Sequence, residues 1–188
     1  MALPRREELG RLLARRTRLL NMKTPPTNLV VLKKTRQKPE AGDIFAFQLE
    51  QFPDRYFFGR VVDTDTKIGN VHGGGVILIY LYRATSGDKM KIPDLRPSDL
   101  LVPPIGTNDR AWIRGFFEVV RSGPNTAVDL LPQHCFRDFR GWFFDEHGNR
   151  LSEAAEPVGV DGVSGIGSID NKISDALGLP LKEDTSSS

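Results

Sequence analysis

Few runs in this 188-residue chain set reactive residue types at spacings that could do chemistry. His72-Gly73-Gly74-Gly75 is the kind of glycine run whose backbone N–H groups meet a developing oxyanion in some hydrolases. That chemistry needs a nucleophile on a Gly-x-Ser-x-Gly turn. The nearest run, Gly162-Val163-Ser164-Gly165-Ile166, fails at the last glycine. Asp63-Thr64-Asp65 opens like a calcium loop, but the third acid, the loop glycine and the closing glutamate are missing. His134-Cys135 sets a base beside a thiol, yet neighbours on an extended strand point to opposite faces and cannot pair as a dyad. Gly165-Ile166-Gly167 lacks the third glycine and the preceding strand of a phosphate-binding turn. The 3 histidines show no ligand spacing, and Cys135 is the only cysteine. The chain therefore reads as a binding protein rather than an enzyme, with no catalytic residue, cofactor or metal ligand to name.

Charge divides the chain more sharply than its net +2 implies. Residues 1–40 hold eleven Lys/Arg against Glu7, Glu8 and Glu40, a balance of +8, which leaves −6 for residues 41–188. A basic arm is thus joined to an acidic body, and the body suits a basic protein partner better than nucleic acid. A lone cysteine removes any disulfide framework, no apolar run approaches the length of a membrane span, and arginines interrupt the leucine pairs near the N-terminus. Together these fit a reducing cytoplasm.

The elements that would carry these residues are mostly strands. Leu9, Leu12, Leu13, Leu19 and Leu20 recur at helical spacing, so residues 4–20 are expected as a basic amphipathic helix that Pro25-Pro26 ends. The arm can be an electrostatic contact for nucleic acid or a membrane surface, a solvated appendage, or an upstream extension with Met22 as the true start. From residue 28 the pattern turns to period two. Strands are expected at 29–32, 44–49, 56–62, 76–82, 100–102, 111–120 and 141–144, with turns at Pro53-Asp54 and at Asp145-Glu146-His147-Gly148-Asn149. The run 76–82 is apolar on both faces. Ser168 is placed to cap a C-terminal helix with Ile169, Ile173, Ala176 and Leu177 on one face, stopped by Gly178 and Pro180. The strands follow too closely for crossover helices. The expected fold is mainly β (α+β): a strongly bent antiparallel sheet or partly open small barrel with one C-terminal helix and a basic helical extension. The expected division is an arm over 1–38, dispensable for folding, a β-rich domain over 39–180 and a tail over 181–188.

Three segments together resemble the immunity protein 26 family of bacterial polymorphic toxin systems. The first runs from Lys38 through Gly42-Asp43-Ile44-Phe45-Ala46-Phe47 and resumes at Tyr56-Phe57-Phe58-Gly59-Arg60-Val61. The second is Leu101-Val102-Pro103-Pro104-Ile105 followed by Trp112-Ile113-Arg114-Gly115-Phe116-Phe117, and the third is residues 143–149. The resemblance spans roughly 36–150 and implies a non-enzymatic protein that binds and blocks a toxin encoded beside it. It brings no catalytic residue and no contact residue.

The motif residues read as structural. Gly42-Asp43 suits a turn, Gly59 a bulge, and Gly115 a place beside the bulk of Trp112 and Phe116, while Phe45, Arg60, Pro103 and Pro104 belong to the same framework. A toxin-facing surface is expected on acidic loops instead. Asp63, Asp65, Asp145 and Glu146 fall in expected turns and are the candidates, taken as exposed charges that add little to stability. The leading expectation is an immunity protein blocking the active site of a toxin, a basic nuclease, with no membrane partner. The alternative is a nucleic-acid-binding adaptor that uses the basic arm on a small β-barrel.

Overall fold

A computed structural model of the chain describes residues 26–70 and 75–182. The helix read over 4–20, residues 72–74 of the glycine run and residues 183–188 of the tail lie outside the described residues.

The molecule is mainly β, built as two sheets and a C-terminal helix that do not close into a barrel. The larger sheet contains β1 (Ile44–Gln48), β2 (Tyr56–Thr66), β3 (Val76–Ser86), β4 (Ile105–Thr107), β5 (Glu118–Arg121) and β10 (Val163–Ser164), in the order β10-β4-β3-β2-β1-β5. The smaller contains β6 (Cys135–Arg137), β7 (Phe143–Phe144), β8 (Arg150–Leu151) and β9 (Val158–Val160), in the order β8-β7-β6-β9. Pairing is antiparallel except for β10 on β4 and β9 on β6, which are parallel. The expected single curved sheet is therefore corrected to two layered sheets. The cause lies in the strands themselves: both faces of the larger sheet are apolar, and each is covered by another layer.

Period-two alternation assigns the faces. Phe45, Phe47, Phe57, Ile77 and Ile79 point to one side, where they pack with Trp112, Phe117 and with Ile169 and Ile173 of α2 (Ile166–Leu177). Ile44, Ala46, Phe58, Leu78, Tyr80 and Tyr82 point to the other, where Phe136 of the smaller sheet joins them. The run 76–82 is buried on both faces, as its pattern requires. Register shifts in the β2–β3 pairing fall at Phe57/Gly59, Val61/Asp63 and Asp63/Thr66, so the bulge expected at Gly59 is present. A Cβ on Gly59 would press into the Phe45 ring and lie 2.7 Å from the Tyr80 carbonyl oxygen.

Four local expectations are corrected. Residues 111–120 are not one strand: Asn108 Oδ1 accepts from Arg110 N, a helical turn α1 (Arg110–Ile113) follows, and Gly115 at φ +86° turns the chain into β5. An Asn-Asp helix start outweighs the β-forming aromatics that follow it. Residues 100–102 contribute only a bridge from Leu100 to Tyr82, and the strand comes after the prolines, at β4. Residues 29–32 form a strap rather than a strand, with one bridge from Leu29 to Leu49 and a bond from Leu32 N to Gly115 O at 2.7 Å. α2 begins at Ile166 on a Gly165 cap rather than at Ser168, and ends as expected at Gly178 in the left-handed conformation.

The strap is tied down at its start. Asn28 N donates to both carboxylate oxygens of Asp170 at 3.1 Å, and Asn28 Nδ2 donates to Ser174 Oγ at 2.9 Å. All three residues are buried. A polar i, i+4 pair on α2 thus faces inward because the backbone of residue 28 needs partners there.

Candidate functional site

The smaller sheet brings together the polar residues that the sequence scatters. His134 lies just before β6 and is buried, with both ring nitrogens engaged: Nε2 with the Tyr80 hydroxyl of β3, Nδ1 with Glu146 Oε1 at 2.9 Å. Leu131 N donates into the Tyr80 oxygen at 3.0 Å, which directs the phenolic proton at Nε2 and leaves Nδ1–H for the carboxylate. Burial pushes the Tyr80 hydroxyl well above the ordinary tyrosine range. Burial would also raise Glu146, but the hydrogen bond from His134 outweighs it and holds the carboxyl below its usual range. Cys135 is fully buried and takes no part in this chain of bonds. The His134-Cys135 pair is thus no dyad: the base is taken by Tyr80 and Glu146, and the row of bonds fastens the smaller sheet to the larger.

The four candidate acids split into two kinds. Asp63 and Asp65 sit in the last part of β2 rather than in a turn, because the strand runs on through its bulges to Thr66. Asp63 Oδ1 accepts from Asp65 N at 3.0 Å and Asp65 Oδ1 from Gly75 N at 3.1 Å. Asp145 and Glu146 do lie in the β7–β8 turn, but their carboxylates are engaged within the protein. Asp145 Oδ1 accepts from His147 N at 2.9 Å and Asn149 N at 2.7 Å, and Oδ2 from Asn149 Nδ2 at 2.9 Å. These bonds outweigh the effect of burial and hold Asp145 below the usual carboxylate range. Lys67 N donates to Glu146 O at 2.8 Å, so the turn rests against the chain just beyond Asp65 and the two pairs are neighbours.

The motif residues form a framework around both sheets. Gly42, at φ +92°, abuts the Gly123 carbonyl, and buried Asp43 accepts from Glu40 N at 2.9 Å to close the turn into β1. Phe45 stacks on Phe117 at 4.5 Å and meets the Trp112 edge at 5.2 Å, with Phe116 buried beside them. Gly115 is required by its positive φ and by the backbone of residues 33–34 pressing on it, not by Trp112 or Phe116. Arg60 is buried and binds Asp129 Oδ1 at 2.7 Å beside Asn125 Oδ1 at 3.3 Å. Pro103 and Pro104 line a cavity of about 250 Å³ with Gly159, Val160, Lys172 and Asp175.

Two features escaped the sequence reading. The Tyr80–His134–Glu146 chain joins residues far apart in sequence and had no local signal. The loop over residues 138–142 did have one: an aspartate three residues before a glycine marks a turn, and Phe139, Arg140 and Trp142 stand on it. Among the described residues no His/Cys/Asp/Glu group could hold a metal ion, and no helix is long and apolar enough to cross a membrane.

Taken together, this is a mainly β protein whose buried polar clusters join its layers and whose distinctive loops stand on the smaller sheet. The model of one family, Immunity protein 26, matches residues 40–140, more than half of the chain. The chain belongs to the Immunity protein 26 family. Immunity proteins imply a toxin as partner and are in general not enzymes. No curated protein and no solved structure matches the chain.

Proposed function

We propose that this protein neutralises a cognate bacterial toxin by binding it and covering its active site, that the toxin is a nuclease with a basic cleft, and that the protein acts in the cytoplasm of a bacterium competing with its neighbours. Family membership carries the reading. The adjoining acids support its finer part: Asp63 and Asp65 at the end of β2, with Asp145 and Glu146 in the turn resting on Lys67. Carboxylates gathered on one side of a body with a balance of −6 speed encounter with a basic cleft. Because Asp145 and Glu146 also hold their own turn, Asp63 and Asp65 are the pair that can be reversed without unfolding it. The test is co-expression with the toxin encoded beside this chain. Wild type protects; Asp63→Lys/Asp65→Lys protects less and associates more slowly, with its melting temperature lowered by no more than about 4 °C for the two local bonds it loses. Wild type that neither binds nor protects removes the assignment for that toxin, and a fully protective double variant removes these acids from the interface.

A further inference from the structure

The β6–β7 loop, residues 138–142, is the most aromatic exposed surface among the described residues. Phe139 is 91% exposed at its tip and Trp142 42% exposed behind it. The loop is held by its own bonds: Asp138 Oδ1 accepts from Arg140 N at 2.9 Å and Trp142 N at 2.8 Å, and Asp138 N donates to Trp142 O at 2.9 Å. Gly141 N donates to Asp138 O at 3.0 Å, and Gly141 takes the positive φ that closes the turn. Two guanidiniums stand over the rings, and a third, that of Arg137, lies against Gly141 of the loop. Arg150 of β8 stands over the Trp142 ring at 4.0 Å, and Arg140 stands 5.0 Å from the Phe139 ring and 5.6 Å from that of Trp142. Arg137 is exposed beside them. None of Arg137, Arg140 and Arg150 forms an ion pair among the described residues.

We infer that Phe139, Arg140, Trp142 and Arg150 form the anchor by which this protein grips its toxin, and that the toxin surface they meet presents carboxylates around an apolar notch. This rests on the toxin-binding reading above and names the partner's chemistry. A phenylalanine has no polar handle, so a fixed loop that holds one almost wholly in water gains stability only when a partner covers it. A guanidinium stacked on a ring turns its N–H edge outward, where it pairs with a carboxylate in two parallel bonds. Three arginines with no ion-pair partner among the described residues, beside the single Asp138 carboxylate that the loop's own amides occupy, make a toxin carboxylate the complement. Trp and Arg in one patch are also the residue types that dominate binding energy at protein interfaces. A single-stranded nucleic acid fits less well. It would stack bases on open ring faces, and here guanidiniums already lie over them, on a body whose balance is −6. The division of labour is then clear: the acids near Asp63 steer the encounter, and the loop sets how long the complex lasts.

The experiment measures binding rates of the full chain and its variants to the purified toxin domain encoded beside it, and to a fluorescent single-stranded dT20. Phe139→Ala and Trp142→Ala each raise Kd for the toxin domain by about thirtyfold or more, almost wholly through faster dissociation. Arg150→Lys, which keeps the charge and loses the fork, raises Kd by about tenfold. Melting temperatures stay within about 2 °C of wild type because the changed groups are exposed. Asp63→Lys/Asp65→Lys, run alongside, slows association instead. If the loop variants dissociate at the wild-type rate from a toxin that wild type binds, the anchor is refuted and the immunity reading stands. Wild type that does not bind the toxin domain at micromolar concentration overturns both. Binding of dT20 that Phe139→Ala or Trp142→Ala abolishes overturns the protein partner in favour of nucleic acid.

Discussion

Changing Tyr80 to Phe removes one oxygen from the middle of the molecule, and two groups lose their partner with it: buried His134 Nε2 and half-buried Leu131 N. Each buried group left unpaired costs about 1–3 kcal/mol, so Tyr80→Phe is expected to cost ~3 kcal/mol. Glu146→Ala strips the other side of the same imidazole and leaves Nδ1–H without an acceptor, for ~2 kcal/mol. Because both changes act through His134, their effects do not add. Once either partner is gone the ring is free to reorient, and the double variant should cost about 1 kcal/mol less than the sum. Glu146→Gln keeps an acceptor oxygen and should lose less than Glu146→Ala. Equilibrium unfolding in urea, monitored by tryptophan fluorescence, measures the four variants and wild type on one scale. Tyr80→Phe within about 0.5 kcal/mol of wild type, or strict additivity of the two single changes, would refute the view that this chain of bonds fastens the sheets together. The same logic separates the candidate acids: reversing Glu146 sets an ammonium against His134 and destabilises, whereas reversing Asp63 costs only one local bond to Asp65 N.

Asp129, Asp145 and Glu146 are held below the ordinary carboxylate range despite burial that opposes it: Asp129 by Thr126 and the charges of Arg60 and Arg121, Asp145 by Asn149 and His147, Glu146 by His134. A depressed folded pKa means stability that is present above the ordinary carboxylate value and lost as pH falls through it, so the melting temperature should hold from pH 7 to about 5 and fall below that, less steeply in Glu146→Gln. Gly59→Ala should lower the melting temperature by about 6–12 °C, since its Cβ has no room against Phe45 and the Tyr80 carbonyl, while Gly123→Ala, whose Cβ meets open space, should not. A chain beginning at Thr27 should melt like the full protein, whereas one beginning at Lys38 should melt about 10 °C lower, because it exposes the site of Leu29 and leaves buried Asp170 without Asn28; equal melting of the two would show that the strap adds nothing.

That last contrast shows where sequence reading reached its limit. The pattern alone settled the apolar strands: 44–48, 56–62 and 76–82 lie where alternation and β-branched runs put them, and α2 follows its 3.6-residue stripe to Gly178. Those signals are local, since a strand or helix announces which side it must bury by spacing along the chain. The family, too, was legible, because its motifs are turns and core aromatics, and most of the first segment and all of the second sit within the stretch 40–140. What tertiary structure decided was pairing. Nothing near Asn28 marks its tie to Asp170, nothing near His134 marks Tyr80, and nothing near Arg60 marks Asp129. A polar residue reads as exposed until a distant partner accounts for its burial, and so Glu146 was read as a free surface charge. The count of sheets was hidden for the same reason. Strands of two or three residues such as β8 and β9 have no periodicity of their own, and they exist because the larger sheet presents a second apolar face that something has to cover.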